Sequence, residues 1–317
     1  MNHLESSFSG KNAFWRYLIM IIVVFAATNT IGALPLLLVM GIKAVSDPGI
    51  ITEISANPSS LAPLGLNQNV NLILMLFPFI IGLLVFLVLI KPLNNRTIKS
   101  VINGTNTFRW NRFVISALIW FILSGIYLFV CIRINPSNFS LNNATLTLVP
   151  LIIVAFLLIP FQASFEEIFF RGYLMQGFTV LLRNRFFVIV ITSALFGLMH
   201  GLNPEVETFG FWTMMPQYIL FGMIFGIITV LDDGIEAAMG AHAANNIFLI
   251  VMNTNESSAL QSDALFRQHN IYPWAEFVAL LIMGILAIII MKKIFRWKTF
   301  SVLFTRVEPG LSTDQIV

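Results

Sequence analysis

The chain has 317 residues, 57% of them hydrophobic and only 10% charged, with a formal net charge of +3 and a mean hydropathy of +0.86. A water-soluble domain of this length needs more polar surface than that composition supplies, and a nucleic-acid binder needs a basic face that these scattered Lys and Arg residues do not make. The one cysteine, Cys131, lies in an apolar run and excludes an internal disulfide.

The apolar residues gather into stretches near the ~20 residues a helix needs to cross a bilayer. They predict an all-α, polytopic membrane helix bundle of about eight transmembrane helices, at 17–40, 71–90, 113–132, 146–170, 186–200, 211–231, 234–252 and 275–291. The first stretch is long and "ATNTIGALP" is not a clean cleavage site, so no removable leader is read there. Residues 44–70, with Pro48, Pro58 and Pro63, form the longest polar connector and are expected to cap the outer face. Pro160 is expected to kink the fourth span and free a carbonyl near two glutamates. The fifth span is short, and the seventh, which opens "EAAMGAHAANN", is the least hydrophobic. Gly197 with Gly201 and Gly222 with Gly226 have the spacing that lets membrane helices touch, for which ordinary packing is the simplest meaning.

Lys91, Arg96, Lys99, Arg109 and Arg112 follow the second span, Arg183 and Arg185 the fourth, and Lys292, Lys293, Arg296, Lys298 and Arg306 the last. The opposite connectors hold Lys43, Arg133 and Arg267. With eight spans, the positive-inside rule puts both termini in the cytoplasm. The layout read from this is three N-terminal spans with their connectors (1–145), a helical core carrying the chemistry (146–255), and a last span with a basic cytoplasmic tail (256–317).

The fourth span contains "SFEEIFFRGYL", residues 164–174. A charge at mid-membrane costs about 2.5–3.5 kcal/mol, so three on one helix must be paired, protonated or wet. Glu167 and Arg171 stand four apart in the favourable order for an ion pair, while Glu166 is turned about 100° away and is left free. If spans four and five make a hairpin turning near Asn184, Glu166 and His200 lie at similar depth on facing helices, within reach of one water. His242 and Asn246 share a face of span seven, and Asn245 points elsewhere. His3, in the polar N-terminal stretch, and His269, beside Asn270, are expected to be solvated. A Glu can act as general base on water, and a His and an Asn can donate N–H groups to an oxyanion. That is equipment for hydrolysing an amide in a wet cavity. Ser164 and Ser193 lack a nucleophile motif such as GxSxG.

"EEIFFR" fits EExxxR, "FGLMH" fits FxxxH and "HAANN" fits HxxxN. In this order, on apolar helices, the set resembles the CPBP family, which comprises CAAX prenyl endopeptidases of type II and bacterial CAAX protease and bacteriocin-processing (Abi) proteins. The resemblance covers about residues 150–250. It implies an intramembrane endopeptidase in which Glu166 activates water with help from His200, and His242 and Asn246 form the oxyanion site. Glu167 and Arg171 would fix the helix, and Phe196 would pack. The cofactor is left open. The family is commonly labelled metalloprotease, and a zinc ion would take Glu166, His200 and His242, leaving Glu167 as base. HExxH is absent, and metal-free activation by Glu166 is preferred. The implied partners are the lipid bilayer and a peptide or protein substrate, such as a prenylated C-terminal CAAX peptide or a bacteriocin- or pheromone-like peptide. A proton-coupled transporter and a non-catalytic bacteriocin-immunity protein are the competing functions. Paired repeats with broken helices, which many transporters carry, are not evident.

Overall fold

In lipid, an apolar run must satisfy its backbone polar groups within itself, and helices do this. The computed structural model describes residues 3–56, 61–105, 107–142 and 145–309. Its helices are α1 (Phe14–Asn29), α2 (Leu34–Ser46), α3 (Gly49–Ala56), α4 (Gln68–Asn94), α5 (Ile98–Ile102), α6 (Trp110–Ile134), α7 (Thr145–Glu167), α8 (Met175–Leu182), α9 (Arg185–Met199), α10 (Pro204–Phe209), α11 (Phe211–Asp232), α12 (Glu236–Met252) and α13 (Pro273–Phe295). A π-helical segment, Ile168–Leu174, joins α7 to α8. Strands β1 (Phe139–Leu141), β2 (Asn253–Thr254) and β3 (Phe266–Gln268) form a small sheet in the order β1-β3-β2, antiparallel then parallel, with Ser140 opposite Arg267.

The helical membrane bundle is as expected, and each apolar stretch read from the sequence is largely helical, the first being split by a turn at 30–33 into α1 and α2. Among the described residues, six helical segments are long and apolar enough to cross a bilayer: Phe14–Ser46 (α1 and α2), Gln68–Asn94, Trp110–Ile134, Leu146–Leu182, Phe211–Asp232 and Pro273–Phe295. The chain is an integral membrane protein. The other two stretches are α9, a shorter apolar helix of 15 residues, and α12, of 17. The low hydropathy of α12 has a packing cause: every residue from Glu236 to Ala244 is buried in protein. A helix that meets no lipid needs no apolar surface. Small residues let α12 fit. A methyl group on Gly240 would lie 2.0 Å from the Phe113 carbonyl oxygen on α6. The glycine spacing on α11 works similarly, since a Cβ at Gly222 would lie 2.7 Å from Ser193 on α9.

α7, the π segment and α8 form one 37-residue rod, longer than the span expected at 146–170. At 1.5 Å per residue it measures about 55 Å, well beyond the ~30 Å hydrocarbon core. Its early turns present Leu146, Val149, Ile153, Phe156 and Leu157 to the outside, whereas Gln162, Glu166, Glu167, Arg171 and Gln176 are buried in the bundle. The α assignment continues through Pro160 to Glu167, and the π segment follows at Ile168. The rod ends at the expected turn. Arg183 adopts a left-handed conformation (φ 49°), and Asn184 caps α9 by accepting from the Phe187 N–H at 3.2 Å.

The connector at 44–70 is more structured than its polarity suggests. It contains α3, and Ile50, Ile54 and Leu64 form a small apolar cluster; Pro58 lies outside the described residues.

His3 also departs from expectation. It is fully buried rather than solvated, while His269 is exposed. Its backbone N–H donates to Asp233 Oδ1 at 2.9 Å, its Nε2 lies 3.0 Å from the Arg171 carbonyl oxygen and its Nδ1 3.2 Å from Gln176 Nε2. Arg171 O can only accept and the Gln176 amide nitrogen can only donate, so the ring is the neutral Nε2–H tautomer. Burial pushes its pKa down to about 4, against the raising effects of the Arg171 carbonyl, Asp233 and Glu236, with Arg96 also lowering it. The C-terminal stretch packs on the same end of the bundle, through Val307 N–H to Arg183 O (2.9 Å) and Trp297 Nε1–H to Asp232 Oδ1 (2.6 Å).

A buried His3 makes docking of the N-terminal segment pH-dependent. Its docked pKa of about 4 lies below the ~6.5 of a free imidazole, so the undocked segment binds more protons between those values, and docking weakens as pH falls through that window. Amide protection factors for residues 4–8 are expected to drop about eightfold between pH 7 and pH 5.5. Hydrogen exchange normalised for intrinsic rate measures this, and His3→Asn should lose the pH dependence.

Candidate active site

The buried end of the rod carries adjacent acids whose environments differ. Arg171 Nη1 donates to Glu167 Oε1 at 2.8 Å, with both side chains fully buried, so the expected pair forms. The Arg171 guanidinium also lies over the Phe196 ring, 4.2 Å from its centroid. Phe196 thus does more than fill space, because an aromatic face attracts a desolvated cation.

Glu167 has a second partner. His242 Nδ1 lies 2.7 Å from the same Oε1, and its other nitrogen, Nε2, lies 3.6 Å from Glu166 Oε2. The His242 ring stacks on Phe225, with centroids 5.2 Å apart and planes 23° apart. An ionised Glu167 can only accept, so Nδ1 carries its proton toward Glu167 and Nε2 meets Glu166. Arg171, Glu167 and His242 therefore form a chain in which a cation holds an acid and the acid sets the tautomer of an imidazole.

Glu166 Oε1 accepts from Gln162 Nε2 at 2.5 Å, one helical turn earlier. Gln162 Oε1 accepts from Asn246 Nδ2 at 2.9 Å. Asn246 is thus linked to Glu166 through Gln162. Beyond it, Asn245 Nδ2 donates to Asn246 Oδ1 at 3.0 Å, and Trp120 Nε1–H donates to Asn245 Oδ1 at 3.1 Å.

His200 caps the C-terminus of α9. Its Nδ1 lies 2.8 Å from the Phe196 carbonyl oxygen, and its ring stacks on Tyr218 (4.6 Å, 24°) and sits 4.6 Å from the Phe196 ring centroid. Depth counting pairs His200 with Glu166; a second imidazole, His242, lies 3.6 Å from Glu166 Oε2. Among the described residues, no three His, Cys, Asp or Glu side chains are gathered as a metal-ligand set. The bonds of His242 Nδ1 to Glu167 and of His200 Nδ1 to the Phe196 carbonyl leave each Nε2 open, as in a metal-ligating histidine, but Glu166, His200 and His242 are not gathered into such a set, and no step is derived through a metal.

Reading by motif missed Gln162, Trp120 and Tyr218. Gln162 had a usable signal, a polar residue exactly one turn from Glu166 in an apolar run; Trp120 had none, since an indole in a membrane span reads as packing. Replacing Phe196 with Leu removes the aromatic face beneath Arg171 and should destabilise the protein by about 2 kcal/mol, read as a lower midpoint of thermal unfolding in detergent.

The family model described as "Type II CAAX prenyl endopeptidase Rce1-like" matches residues 145–248. These residues run from the start of α7 into α12 and include every motif residue described above. The chain is also 28% identical over 259 residues to "Uncharacterized protein YyaK" of Bacillus subtilis (strain 168), covering 81% of this chain and 84% of that one. No solved structure matches the chain.

Proposed function

We propose, from the premise that residues 145–248 make this chain a member of the CPBP/CAAX protease family, that it is an intramembrane endopeptidase that hydrolyses a peptide bond with a carboxylate-activated water. The observation that carries this reading is the pair of contacts on His242: Nδ1 2.7 Å from Glu167 and Nε2 3.6 Å from Glu166. They give two adjacent acids separate tasks. Glu167, neutralised by Arg171, orients the imidazole, and Glu166 keeps Oε2 for the reaction.

Glu166 takes a proton from water and so generates the nucleophile. His200, whose Nδ1–H is bonded to the Phe196 carbonyl, presents a basic Nε2 that helps hold that water. With a proton on Nε2, His242 becomes an N–H donor whose charge Glu167 stabilises from behind. That N–H and the second N–H of Asn246 serve the developing oxyanion. The proton held by Glu166 then passes to the leaving amine. The bilayer supplies the solvent around the bundle, and the substrate is a peptide or protein, either a prenylated C-terminal CAAX peptide or a bacteriocin- or pheromone-like peptide. The Lys and Arg distribution assigns the end of the bundle bearing both terminal segments to the cytoplasm.

The test compares purified wild type and Glu166→Gln on a farnesylated CAAX peptide and on membrane peptides from the source cells, with products read by mass spectrometry. Glu166→Gln is expected to stay folded and to lose about 100- to 10,000-fold in rate, the usual contribution of a general base. Equal cleavage by both proteins would rule the reading out. Proton flux in liposomes that the same substitution abolishes, with all peptides left intact, would favour transport instead.

A further inference from the structure

The hydrogen bonds between Trp120 and Glu166 all run one way. Trp120 Nε1–H donates to Asn245 Oδ1 (3.1 Å), Asn245 Nδ2 to Asn246 Oδ1 (3.0 Å), Asn246 Nδ2 to Gln162 Oε1 (2.9 Å) and Gln162 Nε2 to Glu166 Oε1 (2.5 Å). The ends of the series fix its direction. An indole N–H can only donate and an ionised carboxylate can only accept, so each of the three carboxamides between them has one allowed orientation. Flipping any one would set donor against donor on one side and acceptor against acceptor on the other. Trp120 is fully buried and Gln162 is 5% exposed, so both ends of the series are shielded from water, while Asn245 and Asn246 between them are half-buried.

We propose that Gln162, Asn245 and Trp120 are positioning residues of this site, forming a one-way relay that points Asn246 with its amino group toward the reacting atoms and holds Glu166 by one oxygen so that the other faces His242. The assignment of a catalytic purpose rests on the endopeptidase reading; the relay itself rests on geometry. It gives the N-terminal half of the chain a part in the site, because Trp120 lies on α6, outside the segment that matches the family model. It also accounts for the consecutive asparagines in "HAANN". Asn246 faces Gln162 on α7, and Asn245 turns to α6 and anchors the series.

Two readouts test this and separate it from the endopeptidase reading. The first needs no substrate. In protein labelled with 15N-tryptophan in micelles, the six tryptophans give indole N–H resonances, and the one lost in Trp120→Phe belongs to Trp120. Because linked hydrogen bonds polarise one another, Gln162→Met is expected to shift the Trp120 resonance although Gln162 does not touch the indole. Asn245→Leu should shift it further. An unmoved Trp120 resonance in Gln162→Met would overturn the relay, whatever the protein cleaves. The second readout is kinetic, with the farnesylated CAAX peptide or whichever source-cell peptide wild type cleaves. Gln162→Met is expected to lower kcat by about 10- to 100-fold with KM unchanged, and Trp120→Phe to lower it by less, because misplaced catalytic groups cost rate rather than binding. Gln162→Glu keeps the acceptor for Asn246 but sets a carboxylate against Glu166, and should be no better than Gln162→Met. Unchanged kcat in Gln162→Met would overturn the positioning role. A wild type that cleaves nothing while the indole resonance responds would leave the relay standing and remove the endopeptidase reading.

Discussion

Glu167 is the side chain on which the rest of the buried cluster depends. A lone carboxylate inside a bilayer-spanning bundle is costly, and Glu167, fully buried, is compensated on one oxygen by Arg171 and His242 together. Arg171 in turn needs more than its acid, and the face of Phe196 supplies a second neutralising surface. Once Arg171 holds Glu167 through Oε1, the orientation of His242 follows from its Nδ1 contact with the same oxygen. Its other nitrogen then faces Glu166, 3.6 Å from Oε2. Structural support and chemistry thus fall to neighbouring residues of the same type, divided by the direction each points from the helix.

The backbone takes part in this division. The π segment begins immediately after Glu167 and contains Arg171, so the ion pair bridges the change from α to π geometry. Such segments are uncommon and frequent at functional sites. Here the Arg171 carbonyl is bonded by His3, from a segment far away in sequence. The long rod also changes surroundings along its length, with lipid-facing Leu146 to Leu157 first and protein-enclosed Gln162 to Gln176 after. The rod's charged residues and both its glutamines belong to the enclosed half. α12, whose first half is enclosed by protein, can therefore carry His242 buried and Asn245 and Asn246 half-buried.

Much of this was legible in the residues themselves. The helical bundle followed from apolar run lengths, the turn at Asn184 from Arg183 and Arg185, and the Glu167–Arg171 pair from its four-residue spacing. The polarity of "EAAMGAHAANN" flagged α12 as special, and its burial explains why. What could not be read has definite causes. Hydropathy counts α12 as a weak span because it cannot distinguish a helix in lipid from one wrapped by other helices. The π segment leaves no mark in residue type, and the approach of His242 to both glutamates was not countable, because the turn near Asp232 has no fixed level relative to that at Asn184. His3 sits in "MNHLESSFSG", which reads as a solvated end, and its burial depends on Arg171, Gln176 and Asp233, more than 160 residues later. Long-range polar contacts of that kind carry no local periodicity.

The central claim, that the Arg171 charge exists here to neutralise Glu167, is tested most directly by a double-mutant cycle of thermal unfolding in detergent with Arg171→Met, Glu167→Gln and the pair. Breaking a buried ion pair from one side strands a charge and costs about 3–5 kcal/mol, whereas removing both charges leaves none to strand. The account predicts that Arg171→Met is severely destabilised and that adding Glu167→Gln restores much of the loss. Strict additivity of the two substitutions, or an Arg171→Met protein as stable as wild type, would contradict it.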